Sequence, residues 1–125
     1  MDSPNKYQKY NLFKSFKYAI RGGIHGVFTE PSAKIQFGLC LFLILINLLR
    51  DDYTFVFIHI IFGLFTISQE IMNTAIEYLC DMITMEYSEK VKRVKDLAAG
   101  SVLLMSIAWG LIILLNIINS IWSLF

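Results

Sequence analysis

Three long runs of apolar residues separated by short polar stretches dominate the chain: IQFGLCLFLILINLL at 35–49, YTFVFIHIIFGLFTI at 53–67 and LAAGSVLLMSIAWGLIILLNIINSIWSLF at 97–125. A helix that crosses a bilayer needs about 20 mostly apolar residues. The third run meets that length alone. The first meets it when Ser32, Ala33 and Lys34 extend its helix, the lysine stem reaching toward the headgroups. The second meets it when the helix-forming stretch NTAIEYL carries it past Glu70. The pattern predicts spanning helices over about residues 32–50, 53–81 and 97–122, the second running into the cytosolic interface, with a charged cytosolic loop over 82–96.

The N-terminal part has a different pattern. In NLFKSFKYAIRGGIHGVF, Leu12, Phe16, Ala19, Ile20 and Gly23 fall on one side of a helix and Lys14, Lys17 and Arg21 on another. That spacing predicts an amphipathic helix over about residues 5–29, lying in the interface with its basic side toward anionic headgroups. The Gly22, Gly23 pair is a point where it could loosen. Glu30 and Pro31 then break the helix, because the residue before a proline is biased away from helix and proline suits a first helical turn.

Composition agrees. Of 125 residues, 56% are apolar and 17% charged, more apolar than a soluble domain of this size can bury. The expected fold is all-α and integral to a membrane: one interfacial helix followed by three spans. The net charge of +1 hides an asymmetry. Lys6, Lys9, Lys14, Lys17, Arg21 and Lys34 precede the first span; Lys90, Lys92, Arg93 and Lys95 lie between the second and third; only Arg50 lies between the first and second. Cytoplasmic loops carry the basic excess, so the N-terminus is expected in the cytosol and the C-terminus outside. The basic residues serve topology and do not indicate nucleic acid. No cleavable signal peptide is expected, since the start is polar and basic for too long. Cys40 within the first span and Cys80 near the cytosolic face read as packing residues, not a disulfide.

The stretch QEIMNTAIEYLCD closes the second apolar run with a set of acids that a membrane helix carries only for a reason. On a helix Glu70, Asn73, Glu77 and Asp81 fall within one sector of roughly 80°, which continues outward through Thr66, Gly63 and His59. Glu70, Asn73 and Glu77 form a plausible oxygen-donor site for a hard divalent cation and its ligand. Asp81 reads more simply as a cytosolic flank that pairs with the basic stretch 90–95 or solubilises a helix end emerging into the cytosol. His59, about 16 Å along the axis from Glu70, reads as a polar contact between helices. Trp109 falls in mid-span, where it packs against helices or lipid, and Trp122 in an outer aromatic belt. Ala98, Ala99, Gly100 and Ser101 are small enough for close helix packing. Lys95 and Asp96 fit either a phosphate and metal site or a plain basic flank with a capping acid. The chain has no P-loop, zinc spacing or nucleophile elbow, so any phosphate chemistry must use a site built from helix faces.

Together, EIMNTAIEYLCD, the following EYS and KDLAAGSVLL resemble the signature region of the prokaryotic diacylglycerol kinase and undecaprenol kinase family, small lipid kinases of bacterial cytoplasmic membranes. The resemblance covers almost the whole chain. It implies a homotrimer whose sites lie at the cytoplasmic interface, where ATP with Mg2+ meets a lipid hydroxyl. It also implies Glu70 as catalytic base and Glu30 and Glu77 as the carboxylates that hold the metal carrying ATP. Asn73, Lys95 and Asp96 match residues around the nucleotide and catalytic centre; Tyr18, Glu86, Tyr87 and Ser88 match nucleotide contacts. Asn11 stands where some members have arginine, Gln36 where some have glutamate, and Ala99 where some have serine. The expected activity is phosphorylation of a membrane lipid alcohol, with undecaprenol favoured over diacylglycerol. A channel or transporter subunit, or a purely structural membrane protein, could also carry an acidic helix face. Neither requires Glu30, Lys95 and Asp96.

Overall fold

A computed structural model describes residues 11–123. Lys6, Lys9 and the first turn expected of the interfacial helix lie outside the described residues. Four helices follow in order: α1 Leu12–Thr29, α2 Pro31–Leu49, α3 Tyr53–Ile83 and α4 Glu89–Trp122. The last three are long and apolar enough to cross a membrane.

Each boundary has a local cause. Asn11 caps α1, its Oδ1 accepting from the backbone N–H groups of Phe13 and Lys14 at 3.1 and 3.3 Å. Gly22 and Gly23 leave α1 unbroken. Glu30, in extended conformation, ends α1 and starts α2, with Pro31 at the first helical position, as the Glu-Pro pair predicts. Between α2 and α3 the chain reverses through Arg50, Asp51 and Asp52. Asp51 takes a left-handed φ of 56°, a conformation aspartate tolerates better than most residues, and Asp52 Oδ1 caps α3 by accepting from Phe55 N at 3.3 Å.

The third boundary differs from the expected one. Residues 89–96 are not loop: EKVKRVKD forms the opening turns of α4, after a connection over residues 84–88. Lysine, arginine and glutamate are good helix formers, and their charges project outward. At about 1.5 Å per residue, the 31 residues of α3 and 34 of α4 exceed the bilayer's apolar thickness of about 30 Å, so both extend beyond it.

Helix α3 is the central element, packed against α2 on one side and α4 on the other, while α1 rests on α2 and α3. The core joins Cys40 and Leu43 of α2 to Trp109 of α4, with Ile44, Phe62, Ile112 and Ile113 around them. Gly63 allows this approach, since a Cβ there would run into the Cys40 thiol. Both cysteines are buried and free, as packing residues should be.

The burial pattern is inverted relative to a soluble bundle. Leu41, Phe42 and Leu45 of α2, Phe57, Leu64 and Phe65 of α3, and Leu103, Leu104 and Leu111 of α4 all face outward. Asn47, His59 and Thr66 are wholly buried and Asn116 nearly so. Lipid tails accept the first set; the second must find partners inside. It does: Asn47 and Asn116 exchange amide hydrogen bonds at 3.0 and 3.1 Å, joining α2 to α4. His59 Nε2 lies 3.2 Å from Asn116 Oδ1, and Trp109 Nε1 donates to His59 Nδ1 at 3.3 Å. Because the indole N–H can only donate, Nδ1 must accept, so the imidazole is neutral with its proton on Nε2. His59 is thus the polar contact between helices that its position predicts, and Trp109 packs against helices, not lipid. The outer half of the α3 polar stripe is closed by packing.

Candidate functional site

The inner half of that stripe has a different environment. Because α2 and α3 run antiparallel, the start of α2 lies beside the end of α3, bringing Glu30 and Gln36 against the stretch from Glu70 to Tyr78. Three carboxylates at this end are each held at one oxygen by a neutral donor. Gln36 Nε2 donates to Glu70 Oε1 at 3.0 Å, Asn73 Nδ2 to Glu77 Oε1 at 2.9 Å, and the Tyr78 hydroxyl to Glu30 Oε1 at 3.2 Å. The Asn73 to Glu77 bond has the i, i+4 spacing of one helix face.

The electrostatics are one-sided. Glu70 feels the negative charges of Glu77 and Glu30. Among the described residues the ion pair is that of Lys95 with Asp81, so none of these three carboxylates has a cation within ion-pair distance. Asn73 Oδ1, together with Gln36 Oε1, is buried without a hydrogen-bond partner. The donors are all oxygen, the set a hard divalent cation prefers. No three His, Cys, Asp or Glu side chains among the described residues already form a metal cluster.

A second group lies where α3 passes into α4. An open cavity of about 520 Å³ is lined by Asp81, Thr84, Met85, Glu86, Tyr87, Ser88, Val91, Lys92, Lys95 and Asp96. Five residues singled out in the sequence, Glu86, Tyr87, Ser88, Lys95 and Asp96, thus share one hollow. The connection is ordered from within: Thr84 Oγ1 accepts from Glu86 N at 3.0 Å, and the Tyr87 hydroxyl donates to Glu89 Oε1 at 3.0 Å. Lys95 Nζ donates to Asp81 Oδ1 at 2.6 Å, the pairing with the basic stretch expected of Asp81 as a flank.

Tyr18 stands apart. It lines a shallow hollow along α1 with Lys17, Arg21 and His25, and α1 packs on α2 and α3, not α4. The chain therefore brings Glu30, Glu70, Asn73 and Glu77 to one region and residues 86–88, 95 and 96 to a neighbouring one, leaving Tyr18 outside both. Sequence reasoning missed Tyr78 and the pairing role of Gln36. Tyr78 follows Glu77 directly, and a tyrosine whose hydroxyl can reach a helix end was the available signal.

The fold and this end of the bundle define a three-span membrane protein that presents an oxygen-rich acidic site beside a basic and hydroxyl-bearing hollow. The family model for prokaryotic diacylglycerol kinase matches residues 17–117. An undecaprenol kinase of Bacillus subtilis (strain 168) is 33% identical over 109 residues, covering 82% of this chain and 85% of that protein. The chain belongs to the prokaryotic diacylglycerol kinase family, as EIMNTAIEYLCD and KDLAAGSVLL lead one to expect. It is a lipid kinase, a phosphotransferase with an alcohol acceptor, of the bacterial membrane.

Proposed function

We propose that the protein transfers the γ-phosphate of ATP to the hydroxyl of a membrane lipid, with undecaprenol the favoured acceptor and Mg2+ required. The observation that carries this reading is the trio Glu30, Glu70 and Glu77. Each has one oxygen held by a neutral donor and, among the described residues, no cation within ion-pair distance.

Glu70 is the base. It stands highest on α3 toward the apolar run, nearest the depth at which a lipid hydroxyl sits, and its second oxygen accepts the proton. The lipid oxygen then bonds to the γ-phosphorus, the bond from that phosphorus to the bridging oxygen breaks, and ADP leaves. Phosphoryl transfer needs mainly positioning and charge neutralisation, which a carboxylate cluster with a lysine nearby can supply. Glu30 and Glu77 would hold the metal, with Asn73 orienting Glu77. Mg2+ typically binds through one or two carboxylates plus substrate phosphates, so the donor set fits without a prebuilt three-acid cluster. Bound there, the ion would screen the phosphate oxygens. Lys95 and Asp96 with the 86–88 turn receive the nucleotide.

The separation of Tyr18 from the α3–α4 hollow supports a homotrimer in which a neighbouring protomer helps complete each site. The inward-facing N-terminus and outward C-terminus rest on the basic residues around α1 and α4. The name of the Bacillus subtilis relative favours undecaprenol; the family description keeps diacylglycerol as the alternative acceptor.

The test is direct. The purified protein in lipid micelles is given labelled ATP and magnesium, with undecaprenol and diacylglycerol offered separately. Label should enter undecaprenol at the higher kcat/KM. Transfer only to diacylglycerol overturns the acceptor assignment, and transfer to neither by a folded protein overturns the kinase reading.

A further inference from the structure

Gln36 stands out in the sequence only as an amide where some relatives have glutamate. In the folded chain it reaches from α2 to α3 and donates from Nε2 to Glu70 Oε1 at 3.0 Å, both residues being half-buried. Chemistry fixes its orientation: turned over, the amide would set its oxygen against a carboxylate oxygen with no hydrogen between them. In the orientation it holds, Gln36 Oε1 is buried and unpartnered. A methionine or leucine would fill the same space without leaving an acceptor unpaired, so helix packing alone does not account for an amide here.

The geometry points to Gln36 as a positioning residue that fixes one Glu70 oxygen through Nε2–H, so that the other meets the lipid hydroxyl. This rests on the reading of Glu70 as base. Glutamate has a flexible stem, and the charges of Glu77 and Glu30 act on its carboxylate. Without a tether it has no reason to keep one oxygen aimed at the acceptor, and misplacement by about 1 Å can cost about a hundredfold in rate. A neutral amide orients the carboxylate without neutralising it, as a lysine there would. During transfer the proton goes from the lipid hydroxyl to the free Glu70 oxygen. Gln36 neither gains nor loses one.

The test compares the full-length parent, Gln36→Met, Glu70→Gln and the double variant in lipid micelles with MgATP and undecaprenol or diacylglycerol. Gln36→Met should lower kcat on the order of ten- to a hundredfold, as expected for losing a hydrogen bond to a charged group, with KM for both substrates within about twofold. In the Glu70→Gln background the same substitution should leave the residual rate unchanged, because the carboxylate it orients is gone. Parent-like turnover of Gln36→Met, or an equal proportional loss in both backgrounds, overturns the inference while leaving Glu70 as base. Full activity of Glu70→Gln removes the base reading itself. If Gln36→Met fails to fold, Gln36→Glu carries the test with the native shape. Its introduced carboxyl can donate only when protonated, so its rate relative to the parent should fall as pH rises. A pH-independent ratio overturns the inference.

Discussion

Lys95 Nζ lies 2.6 Å from Asp81 Oδ1, so the lysine assigned to the nucleotide is held by its own chain across the α3–α4 connection. Both side chains are well exposed, at 37% and 53%, and a pair so open to water and salt adds little to stability. The pairing therefore concerns where the ammonium points more than whether the protein folds. Its carboxylate partner lies on the same helix face as Glu77, one turn nearer the cytosolic end.

The first prediction separates charge from aim. Lys95→Ala should reduce kcat/KM for MgATP by about a hundredfold, through loss of a charge-assisted phosphate contact. Asp81→Asn keeps the charge and loosens its tether, so its loss should stay below about tenfold and appear mainly in KM. Initial-rate kinetics of the two variants at saturating lipid checks the order. Equal losses would make Asp81 as much a part of the nucleotide site as Lys95.

A second prediction concerns packing. A Cβ at Gly63 would meet the Cys40 thiol, with Cys40 Cβ at 3.2 Å and Trp109 Cζ2 at 3.4 Å behind it. Gly63→Ala should destabilise the bundle by about 1–3 kcal/mol, the usual cost of overpacking. Adding Cys40→Ala removes the obstructing sulfur and should restore much of the loss, although Cys40→Ala alone destabilises. Thermal unfolding in micelles of the two single variants and the double variant reads this reversal of sign; additive losses would contradict the contact.

How much of this was legible in the sequence depends on how far apart the interacting residues lie. The three spans follow from uninterrupted apolar runs, and the α1 to α2 break from the Glu30-Pro31 pair. The single acidic face from Glu70 to Asp81 follows from helical spacing. The beginning of α4 was not legible as helix because EKVKRVKD is dense in charge and offers only Val91 and Val94 at helical spacing, too few apolar positions to set a helix apart from a charged connection. Partners that come from distant positions were not legible either. His59 could be read as a polar helix contact, yet nothing local to it names Asn116 or Trp109, and Gln36 meets Glu70 only once α2 and α3 are antiparallel in this register. Tyr78 was hidden by its resemblance to ordinary interfacial aromatics.

The buried polar network gives a third prediction. Asn116→Leu leaves His59 Nε2–H and Asn47 Oδ1 without their partner between α2, α3 and α4 and takes one of two acceptors from Asn47 Nδ2, which keeps Leu43 O. Single hydrogen bonds in membrane bundles contribute about 0.6 kcal/mol on average, so losing three together should cost about 2 kcal/mol. His59 is about 16 Å along α3 from Glu70, so turnover well below the unfolding temperature should change less than about twofold. Thermal unfolding followed beside lipid phosphorylation separates the two effects. A large fall in turnover with unchanged unfolding would assign the network to catalysis.

Metal dependence gives the last prediction. Glu77 has one oxygen held by Asn73 and Glu30 one held by Tyr78, leaving a second oxygen on each for a cation. Chelation of magnesium should abolish lipid phosphorylation, and restoring the ion should recover it, because phosphate oxygens and carboxylates otherwise repel one another. Glu77→Gln keeps the shape but removes a charge, so the magnesium concentration for half-maximal rate should rise by about tenfold or more. Asn73→Ala keeps both metal carboxylates and only frees Glu77, so its shift should be smaller. Tyr78→Phe should resemble Asn73→Ala, since it removes only the hydroxyl that holds Glu30. Magnesium titrations of the parent and the three variants at fixed free ATP decide the matter: an unshifted midpoint for Glu77→Gln would take that carboxylate out of the metal site, whatever the loss in maximal rate.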